Sequence, residues 1–213
     1  MEKEVEEELK SRLKDEFSNY TEIAGGKNYR YRHLKTVLEI VHKLKQNVET
    51  SEEIDENVLE IAALYHDIGR KEDIEDGEMD PFEGHEGHDE RGAKIIEEYV
   101  SDFVTEDQLK KIQRIIRNHH SEPQTVEGKI VQDADKVSNF GVNNLWRQIH
   151  YAAEHERTFD DSLEYFWDSA VDRYRGQMKK LNFDYTKKVA EKRLERHKQA
   201  IERIEMEMDG EDF

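Results

Sequence analysis

Cysteine is absent from this sequence of 213 residues, and proline occurs only twice. Without cysteine the chain can form neither disulfides nor thiolate metal sites, so any metal ion must be bound by histidine, aspartate or glutamate. No stretch approaches the roughly 18 consecutive apolar residues that a membrane-spanning helix needs. Because only 2 prolines and 11 glycines are available to break helices, the composition predicts an all-α fold with long helices rather than many short strands.

Acidic residues outnumber basic residues by 51 to 33, which gives a formal net charge of −18 at pH 7. Such a charge disfavours nonspecific binding to a nucleic acid duplex or to an anionic membrane. It does not exclude a small phosphorylated substrate, since a metal ion and a few arginines can reverse the field inside one cleft. Residues 1–6 are acidic and lack the apolar run of a secretory signal. We therefore expect a cytoplasmic protein.

Apolar residues recur at helical spacing along most of the chain, and the length fits a single domain over residues 1–213. We divide this domain into a core at about 25–145 and a C-terminal helical part at about 146–208. A break is expected at Gly25-Gly26, and a loop is expected over the acidic residues 71–87. The predicted helical stripes cover 2–20, 29–47, 58–68, 88–100, 105–119, 130–137 and 190–208.

The C-terminal part is rich in large aromatic side chains between residues 140 and 185. Core packing is the first interpretation for them, while a minority could line a pocket that stacks a base or holds an apolar group. The last helix carries a heptad-like seam that lasts less than three heptads. We therefore expect this helix to dock on the domain rather than to form a free coiled coil.

The helix that holds Ile61 and Tyr65 ends in a histidine and an aspartate, His66 and Asp67, with Gly69 where a helix C-cap would fall. A buried imidazole and a buried carboxylate are costly unless they are paired. A divalent cation would satisfy both, because neutral histidine nitrogen and aspartate oxygen are good ligands for it. For the pair alone, a hydrogen bond between the two side chains that caps the helix is an equally good interpretation.

Several predicted helices carry further polar residues on their inward faces or at their ends. Any one of these residues alone would most often be a satisfied structural histidine or a cap. Six of them in a chain with ten histidines are harder to explain as core residues, and their long spacing requires several helices to converge on one point. The set consists of His33, His66, Asp67, His88, His119 and Asp135.

The order of this set (a histidine, a histidine–aspartate pair and a distant aspartate) resembles the HD-domain superfamily of metal-dependent phosphohydrolases. Residues 63–69 are similar to the central motif of that family, and residues 131–136 are similar to its final aspartate segment. Residues 88–93 and 116–119 resemble the additional histidine motifs of members that hold two metal ions. With its C-terminal helices, the chain resembles the stand-alone bacterial and archaeal HD hydrolases over about 25–205.

The resemblance implies one or two divalent metal ions per chain, and an all-histidine and carboxylate site suits Mn, Fe, Ni, Co or Mg. A second ion, or the substrate phosphate, would be bound by His88 and His119. His120 competes with His119 for this role, and His85 could replace His88. Four histidines match no motif and are interpreted as surface or packing residues: His42, His150, His155 and His197. The first ion would be held by His33, His66, Asp67 and Asp135.

Basic residues near the motifs could hold phosphate oxygens. Lys136 is the strongest candidate, because it directly follows a predicted ligand and the family often carries a base there. Arg91 and His120 are further candidates for substrate binding. The residues that we expect to take part in catalysis are Asp67, which could orient the nucleophile, Lys136 and Arg70. Three other basic residues are interpreted as solvated surface charges: Arg30, Arg32 and Lys71.

The sequence departs from the family pattern in two places. Arg70 stands where the nucleotidase branch tends to carry an acidic residue, so Glu72 or Glu75 could supply a general acid instead. Ser138 and Asn139 replace the acidic residue that usually follows the final aspartate segment.

Two classes of function remain open. The first is hydrolysis of a nucleotide, or of another small phosphate ester or anhydride, by a metal-activated water. The second is a metal-binding regulatory or interaction protein that has the same fold and little turnover. The intact set of ligands favours the first class. As partners we expect a small phosphorylated substrate, no nucleic acid duplex and no membrane, with a homodimer as one option.

Overall fold

The structure, a computed structural model, describes residues 1–18, 20–75 and 87–213. Helices dominate these ranges, which confirms the predicted all-α class. Two short strands, β1 (Thr21–Glu22) and β2 (Gly26–Lys27), pair in antiparallel register with Thr21 opposite Lys27. This strand pair lies where the sequence predicted only a break. No helix in the described ranges combines the length and the apolar character needed to cross a membrane.

The helices pack mainly against their neighbours in sequence, and most of their apolar stripes lie where the sequence predicted them. A single π-helical turn, Phe166–Ala170, joins two of the C-terminal helices. The helices are α1 (Lys3–Glu16), α2 (Tyr29–Leu44), α3 (Glu56–Tyr65), α4 (Arg70–Glu75), α5 (His88–Val100), α6 (Glu106–Asn118), α7 (Val126–Ser138), α8 (Asn144–Glu154), α9 (Phe159–Tyr165), α10 (Val171–Met178) and α11 (Asp184–Asp209).

Helix α4 contradicts the loop that was predicted over residues 71–87. Ile74 and Asp73 are buried on this short helix, and Asp73 forms an ion pair with Arg91 of α5. Tertiary contacts therefore hold a helix that has almost no apolar periodicity of its own. The remainder of that predicted loop, residues 76–86, lies outside the described residues.

The described residues form two buried apolar clusters. Helices α1 to α7 bury the first, in which Leu38, Leu64 and Ile116 are fully enclosed. The second begins with Val137 at the end of α7 and continues through the C-terminal helices. Burial of each large apolar side chain contributes roughly 1.5–3 kcal/mol, so both clusters add to stability. The second cluster starts before residue 146, and the division of the domain at that residue stays a prediction.

The aromatic residues of the C-terminal part divide into two groups. Phe140, Phe166 and Tyr174 are buried in the second cluster, as expected for core residues. Trp146 and Phe159 are 57% and 41% exposed, so the core interpretation is wrong for these two. The Trp146 side chain instead lies on the outer side of α8, where its indole nitrogen donates to the carbonyl of Gly25 at 2.6 Å.

Helix α11 docks on the second cluster, as its seam predicted. Ala190, Leu194 and Ile201 are buried against it, whereas Met208 near the helix end is 65% exposed. The seam therefore serves packing within the domain, and its last turns extend beyond the contact.

Gly69 determines how closely the end of α3 approaches the start of α5. A Cβ atom at Gly69 would overlap the carbonyl oxygen of His88 and would lie 2.6 Å from the amide nitrogen of Gly92. The described glycines with positive φ do not include Gly69. The expected C-cap role is therefore wrong, because α3 ends at Tyr65 and the glycine is needed for space.

We expect Gly69→Ala to lower the free energy of unfolding by about 1–3 kcal/mol, the usual cost of overpacking a rigid contact. Gly176→Ala is the matched control, because Gly176 lies within α10 with open space around its Cα. This control should gain about 0.5–1 kcal/mol through helix propensity. Urea unfolding followed by circular dichroism measures both changes, and equal stability of the two variants would contradict the packing argument.

His197 is a buried polar residue of the second cluster. Its ring lies against Phe166 and Tyr174, with centroid distances of 4.7 and 6.0 Å. Neither ring nitrogen has a hydrogen-bond partner among the described residues. Burial lowers the pKa of His197 to about 4, so the folded protein holds this imidazole neutral.

Acidification from pH 7 to 5 should therefore destabilise the protein in part through His197. The unfolded imidazole, with a pKa of about 6.5, takes up a proton that the folded state excludes, which costs about 2 kcal/mol at pH 5. His197→Leu should lose less stability over this pH step, whereas His155→Gln, at an exposed position, should lose as much as the native protein. Thermal unfolding at both pH values tests this, and the same pH dependence in all three proteins would refute it.

Candidate metal centre

The six residues predicted for the site are positioned by five helices, most of them at a helix end. Side chains at a helix end are less constrained by the helix itself. The buried apolar stripe of that helix fixes where the end lies. His33 lies in α2, His66 and Asp67 directly follow α3, His88 begins α5, His119 directly follows α6, and Asp135 lies in α7.

A first group of ligand atoms forms between α2, α3 and α7. The Nε2 atom of His33 lies 3.3 Å from Asp135 Oδ1 and 3.7 Å from Asp67 Oδ2. The Nε2 atom of His66 lies 3.6 Å from Asp67 Oδ2 and 3.7 Å from Asp135 Oδ1. One nitrogen or oxygen atom from each of His33, His66 and Asp135 lies within 4.8 Å of the others, a spacing that could hold a metal ion.

A second group forms on the other side of Asp67. Its Oδ1 atom lies 3.4 Å from His88 Nε2 and 3.5 Å from His119 Nε2. His120 completes this group, with its Nε2 atom 3.0 Å from that of His88. The structure thus brings His119 and His120 together as members of one group. Asp67 joins the two groups, because one carboxylate oxygen faces each of them.

Backbone carbonyls orient two of the histidines. His66 Nδ1 lies 2.8 Å from the carbonyl oxygen of Ala63, and His119 Nδ1 lies 2.5 Å from that of Ile116. A carbonyl can only accept a hydrogen bond, so each Nδ1 carries the proton and each Nε2 presents its lone pair to the centre. This arrangement is typical of histidines that bind metal ions.

Three atoms at the centre are buried without a hydrogen-bond partner among the described residues: His66 Nε2, Asp67 Oδ1 and His119 Nε2. Buried acceptors that remain unpaired cost roughly 1–3 kcal/mol each, more when they are charged. A divalent cation accepts lone pairs from all three atoms. The residues present therefore fit one or two such ions.

The ionisation states also suit a cation. Burial alone would raise the pKa of Asp67, but the positive charges of Arg70 and Arg30 outweigh it and hold that pKa well below its usual range. The hydrogen bond with His33 likewise opposes burial at Asp135, and the pKa of that carboxyl group also lies well below its usual range. Burial lowers the pKa of His33, which keeps this imidazole neutral. Both carboxylates are therefore ionised at neutral pH.

Arg30 is buried at the centre, so its interpretation as a surface charge is wrong. Its Nε and Nη2 atoms donate to the two carboxylate oxygens of Glu22 at 3.0 and 2.8 Å, and Nη1 donates to Asp67 Oδ2. Arg30 precedes His33 by one helical turn, and this spacing alone would have placed it on the inward face of α2. No sequence signal pointed to Glu22, which β1 brings to the site.

The other basic residues take different positions. Arg70 Nε lies 3.3 Å from Asp67 Oδ1, beside the second group. Arg91 pairs with Asp73 and with Glu72, while Lys136 Nζ donates to the carbonyl of Lys180 at 3.3 Å. The structure thus brings Arg70 to the ligand atoms and engages Arg91 and Lys136 elsewhere. Roles in substrate binding and catalysis for Arg70, Arg91, Lys136 and His120 stay predictions.

The other charged candidates are exposed, or are paired with residues outside the two ligand groups. Arg32 is exposed, as predicted, and Lys71 pairs with Glu16 of α1 at 2.5 Å. Glu72 is held by Arg91, and Glu75 accepts a hydrogen bond from Tyr20, so neither is directed at the centre by these contacts. His85 lies outside the described residues.

Ser138 and Asn139, the second departure from the family pattern, contact the predicted ligands. Ser138 Oγ lies 3.4 Å from His33 Nδ1, and Asn139 Nδ2 donates to the backbone carbonyl of Asp135 at 3.2 Å.

A third group that could hold an ion consists of Glu6, His42 and Glu60. Glu60 there already accepts a hydrogen bond from Lys45 at 2.8 Å, so ion pairing within the protein explains this cluster.

Comparison with known proteins agrees with this geometry. A sequence model of the HD domain matches residues 30–139, just over half of the chain. The chain therefore belongs to the HD-domain family, as its motifs predicted. No match is found among curated protein sequences.

Solved structures of bacterial proteins share the whole fold. An HD-superfamily hydrolase from Bacillus thuringiensis is 22% identical, with 97% of each chain covered and a TM-score of 0.66. YpgQ from Bacillus subtilis, solved in complex with ADP, is 20% identical, with 96% of this chain and 98% of that chain covered and a TM-score of 0.63. A predicted HD-superfamily hydrolase from an uncultured Thermotogales bacterium is 21% identical, with 95% and 92% covered and a TM-score of 0.61. At these identities the likeness shows the fold.

We expect Asp67→Ala to abolish metal binding, since both groups lose the carboxylate that joins them. Asp172→Ala is the matched control, because Asp172 is exposed on α10 and pairs only locally with Arg175. Elemental analysis of protein purified without chelator, and titration with Mn²⁺, measure the metal content. Full metal content in Asp67→Ala would show that the site is assigned wrongly.

His119→Ala should behave differently, because it removes a ligand from the second group only. This variant keeps His33, His66 and Asp135 together with the Asp67 carboxylate beside them, so at least one ion should stay bound. The same titration tests the difference, and complete loss of metal in His119→Ala would mean that the two groups do not act separately.

Proposed function

We propose that this protein is a metal-dependent phosphohydrolase that cleaves a nucleotide or another small phosphate ester or anhydride. The observation that carries the proposal is the position of Asp67, whose two oxygens face different histidine groups at 3.4–3.7 Å. Membership of the HD family and the shared fold of HD-superfamily hydrolases support the reaction class. The alternative, a metal-binding regulatory protein with little turnover, has no comparable observation in its favour.

A divalent ion at this centre would lower the pKa of a bound water and polarise a phosphoryl oxygen. The chain itself fixes the histidine rings through backbone carbonyls, so that their lone pairs point inward before any substrate arrives. The ionised Asp67 is available to orient the attacking water. Burial of His66 and His119 excludes bulk water from the same place.

Arg70 is the strongest candidate to hold the phosphate. Its guanidinium lies beside Asp67, and guanidinium groups bind phosphate oxygens through paired hydrogen bonds. His120 is exposed at the edge of the second group and is a further candidate for substrate contact. Lys136 and Arg91 would need to leave their present partners to reach a substrate, so they rank lower in this proposal.

A nucleotide is the substrate class that we favour. YpgQ, which shares the fold over nearly the whole chain, was solved in complex with ADP. The net charge of −18 also supports a small molecule in the cytoplasm as the partner, rather than a nucleic acid duplex or a membrane.

Release of phosphate and of pyrophosphate from a panel of nucleoside mono-, di- and triphosphates, with added Mn²⁺, tests the proposal. Turnover of at least one substrate is expected in the native protein and in Asp172→Ala, and none in Asp67→Ala. Arg70→Lys should lower kcat/KM by about tenfold or more, because lysine keeps the charge but loses the paired hydrogen bonds.

Arg175→Lys is the control for the arginine substitution, because Arg175 is exposed on α10. Metal bound at full occupancy without turnover of any nucleotide or simple phosphate ester would refute the hydrolase proposal. In that case the regulatory alternative would take its place.

A further inference from the structure

A cleft lies outside the metal centre, between α8, α9, α10 and α11. Its volume is about 620 Å³, which is within the range of small-molecule binding sites. The described residues that line it include none of the histidines and aspartates of the metal centre. We call this space the C-terminal cleft. Its lining includes Arg157, Arg173, Tyr151, Tyr165, Tyr174 and Gln148.

The charge of the C-terminal cleft is opposite to that of the chain. Three arginines line it, including Arg147, and its described lining contains neither aspartate nor glutamate. This composition is unexpected in a chain with 51 acidic residues among 213. The nearby Asp161 is used at the start of α9, where its carboxylate accepts from the backbone nitrogen of Thr158 at 3.0 Å. The cleft therefore offers a locally positive field for an anion.

Tyrosine rings hold two of these arginines in place. The guanidinium of Arg157 lies 5.0 Å from the ring centre of Tyr151 and 5.4 Å from that of Tyr165. The guanidinium of Arg173 lies 5.9 Å from the Tyr165 ring and 5.8 Å from the Tyr174 ring. Such stacking holds the guanidinium groups against the ring faces, and the planar guanidinium suits the binding of anionic oxygen atoms. The same tyrosines give the cleft flat apolar walls.

The wall of the cleft also carries an unused donor. The Nε2 atom of Gln148 is buried and has no hydrogen-bond partner among the described residues. A buried amide without a partner is costly, and a ligand with an acceptor atom would satisfy it. At the mouth of the cleft, Ile149 is 63% exposed and Phe159 is 41% exposed, so apolar surface is available to cover a ring.

We propose that the C-terminal cleft binds a small anionic molecule that carries a flat unsaturated ring, a ligand of the nucleotide class. Arg157 and Arg173 bind the anionic group, the tyrosine rings pack against the flat ring, and the Gln148 amide donates to an acceptor on it. Charge complementarity selects this occupant over a second copy of the acidic chain, which would bring further carboxylates to the apolar rim.

The cleft is separate from the metal centre but adjoins it. Arg147, at its inner end, donates to the carbonyl of Ala24 at 3.2 Å, and its guanidinium lies 5.6 Å from the Tyr29 ring. That ring in turn stacks on His33, with centroids 6.2 Å apart. Asn139 also lines the cleft and donates to the backbone carbonyl of Asp135, so a single residue separates the cleft from the nearest ligand. Binding there needs no metal ion, so the inference does not depend on the proposed hydrolysis.

Calorimetric titration of the metal-free protein with adenosine monophosphate tests the inference. Chelation of metal prevents metal-dependent turnover, and saturable binding at one site per chain is expected. The charge-reversed double variant Arg157→Glu, Arg173→Glu should weaken binding by at least about tenfold, since both anion contacts are lost. Both arginines are exposed at their outer ends, so this variant should fold, as circular dichroism will check.

Two controls separate the cleft from other sites. The double variant Arg175→Glu, Arg203→Glu, at exposed positions of α10 and α11, changes the net charge equally and should bind like the native protein. Asp67→Ala should also bind like the native protein, because the metal centre is not involved. Gln148→Ala should weaken binding of adenosine monophosphate more than binding of inorganic phosphate, as expected for a contact with the ring.

Several results would overturn the inference. One is the absence of saturable binding to the metal-free protein, and another is binding that Asp67→Ala abolishes while the arginine variant retains it. If inorganic phosphate alone binds as tightly as adenosine monophosphate, the ring has no site in the cleft. If sedimentation shows a dimer that Ile149→Asp dissociates, and no nucleotide binds, the cleft is an interface between two copies of the chain.

Discussion

The structure depends on a buried carboxylate, that of Asp67, held ionised at the point where five helices meet. An isolated carboxylate in a protein interior would take up a proton or move to the surface. Arg30 and Arg70 lie on either side of it, and histidine nitrogens surround both oxygens. With these partners the charge is tolerated, but acceptor atoms remain unpaired. The centre is thus suited to bind cations, and the surrounding apolar core stabilises it.

Convergence on this point explains features of the fold that lie away from it. The closest approach is at Gly69, where any side chain would overlap the carbonyl oxygen of His88 and move the start of α5. The carbonyls behind His66 and His119 direct the two rings inward because each helix ends immediately before its histidine. Function at this site would therefore depend on where helices end and on how closely they pack, as much as on the identity of the ligands.

Sequence alone predicted most of the helices and the six residues that lie together at the centre, and it failed where distant contacts decide. Apolar spacing identifies α2 and α11 because one face of each is buried. The helix α4 escaped prediction, since the ion pair with Arg91 holds it and no periodicity reveals that pair. Glu22 was missed because its role depends on a strand pair only two residues long on each side. Helical spacing could have identified Arg30, but its charge alone predicts a solvated position at the surface.

The distribution of charge reconciles an acidic chain with the phosphorylated ligands that we propose. At physiological ionic strength, charges more than about 8 Å apart are largely screened, so the net charge of −18 has little influence inside a cleft. A phosphate would instead interact with the charges close to it. These are Arg70 and the cation-binding centre at one place, and Arg157 and Arg173 at another. The excess acidic surface instead discourages large polyanions, which contact many surface charges at once. The same electrostatics therefore favours small anions and disfavours nucleic acids, although both carry phosphate.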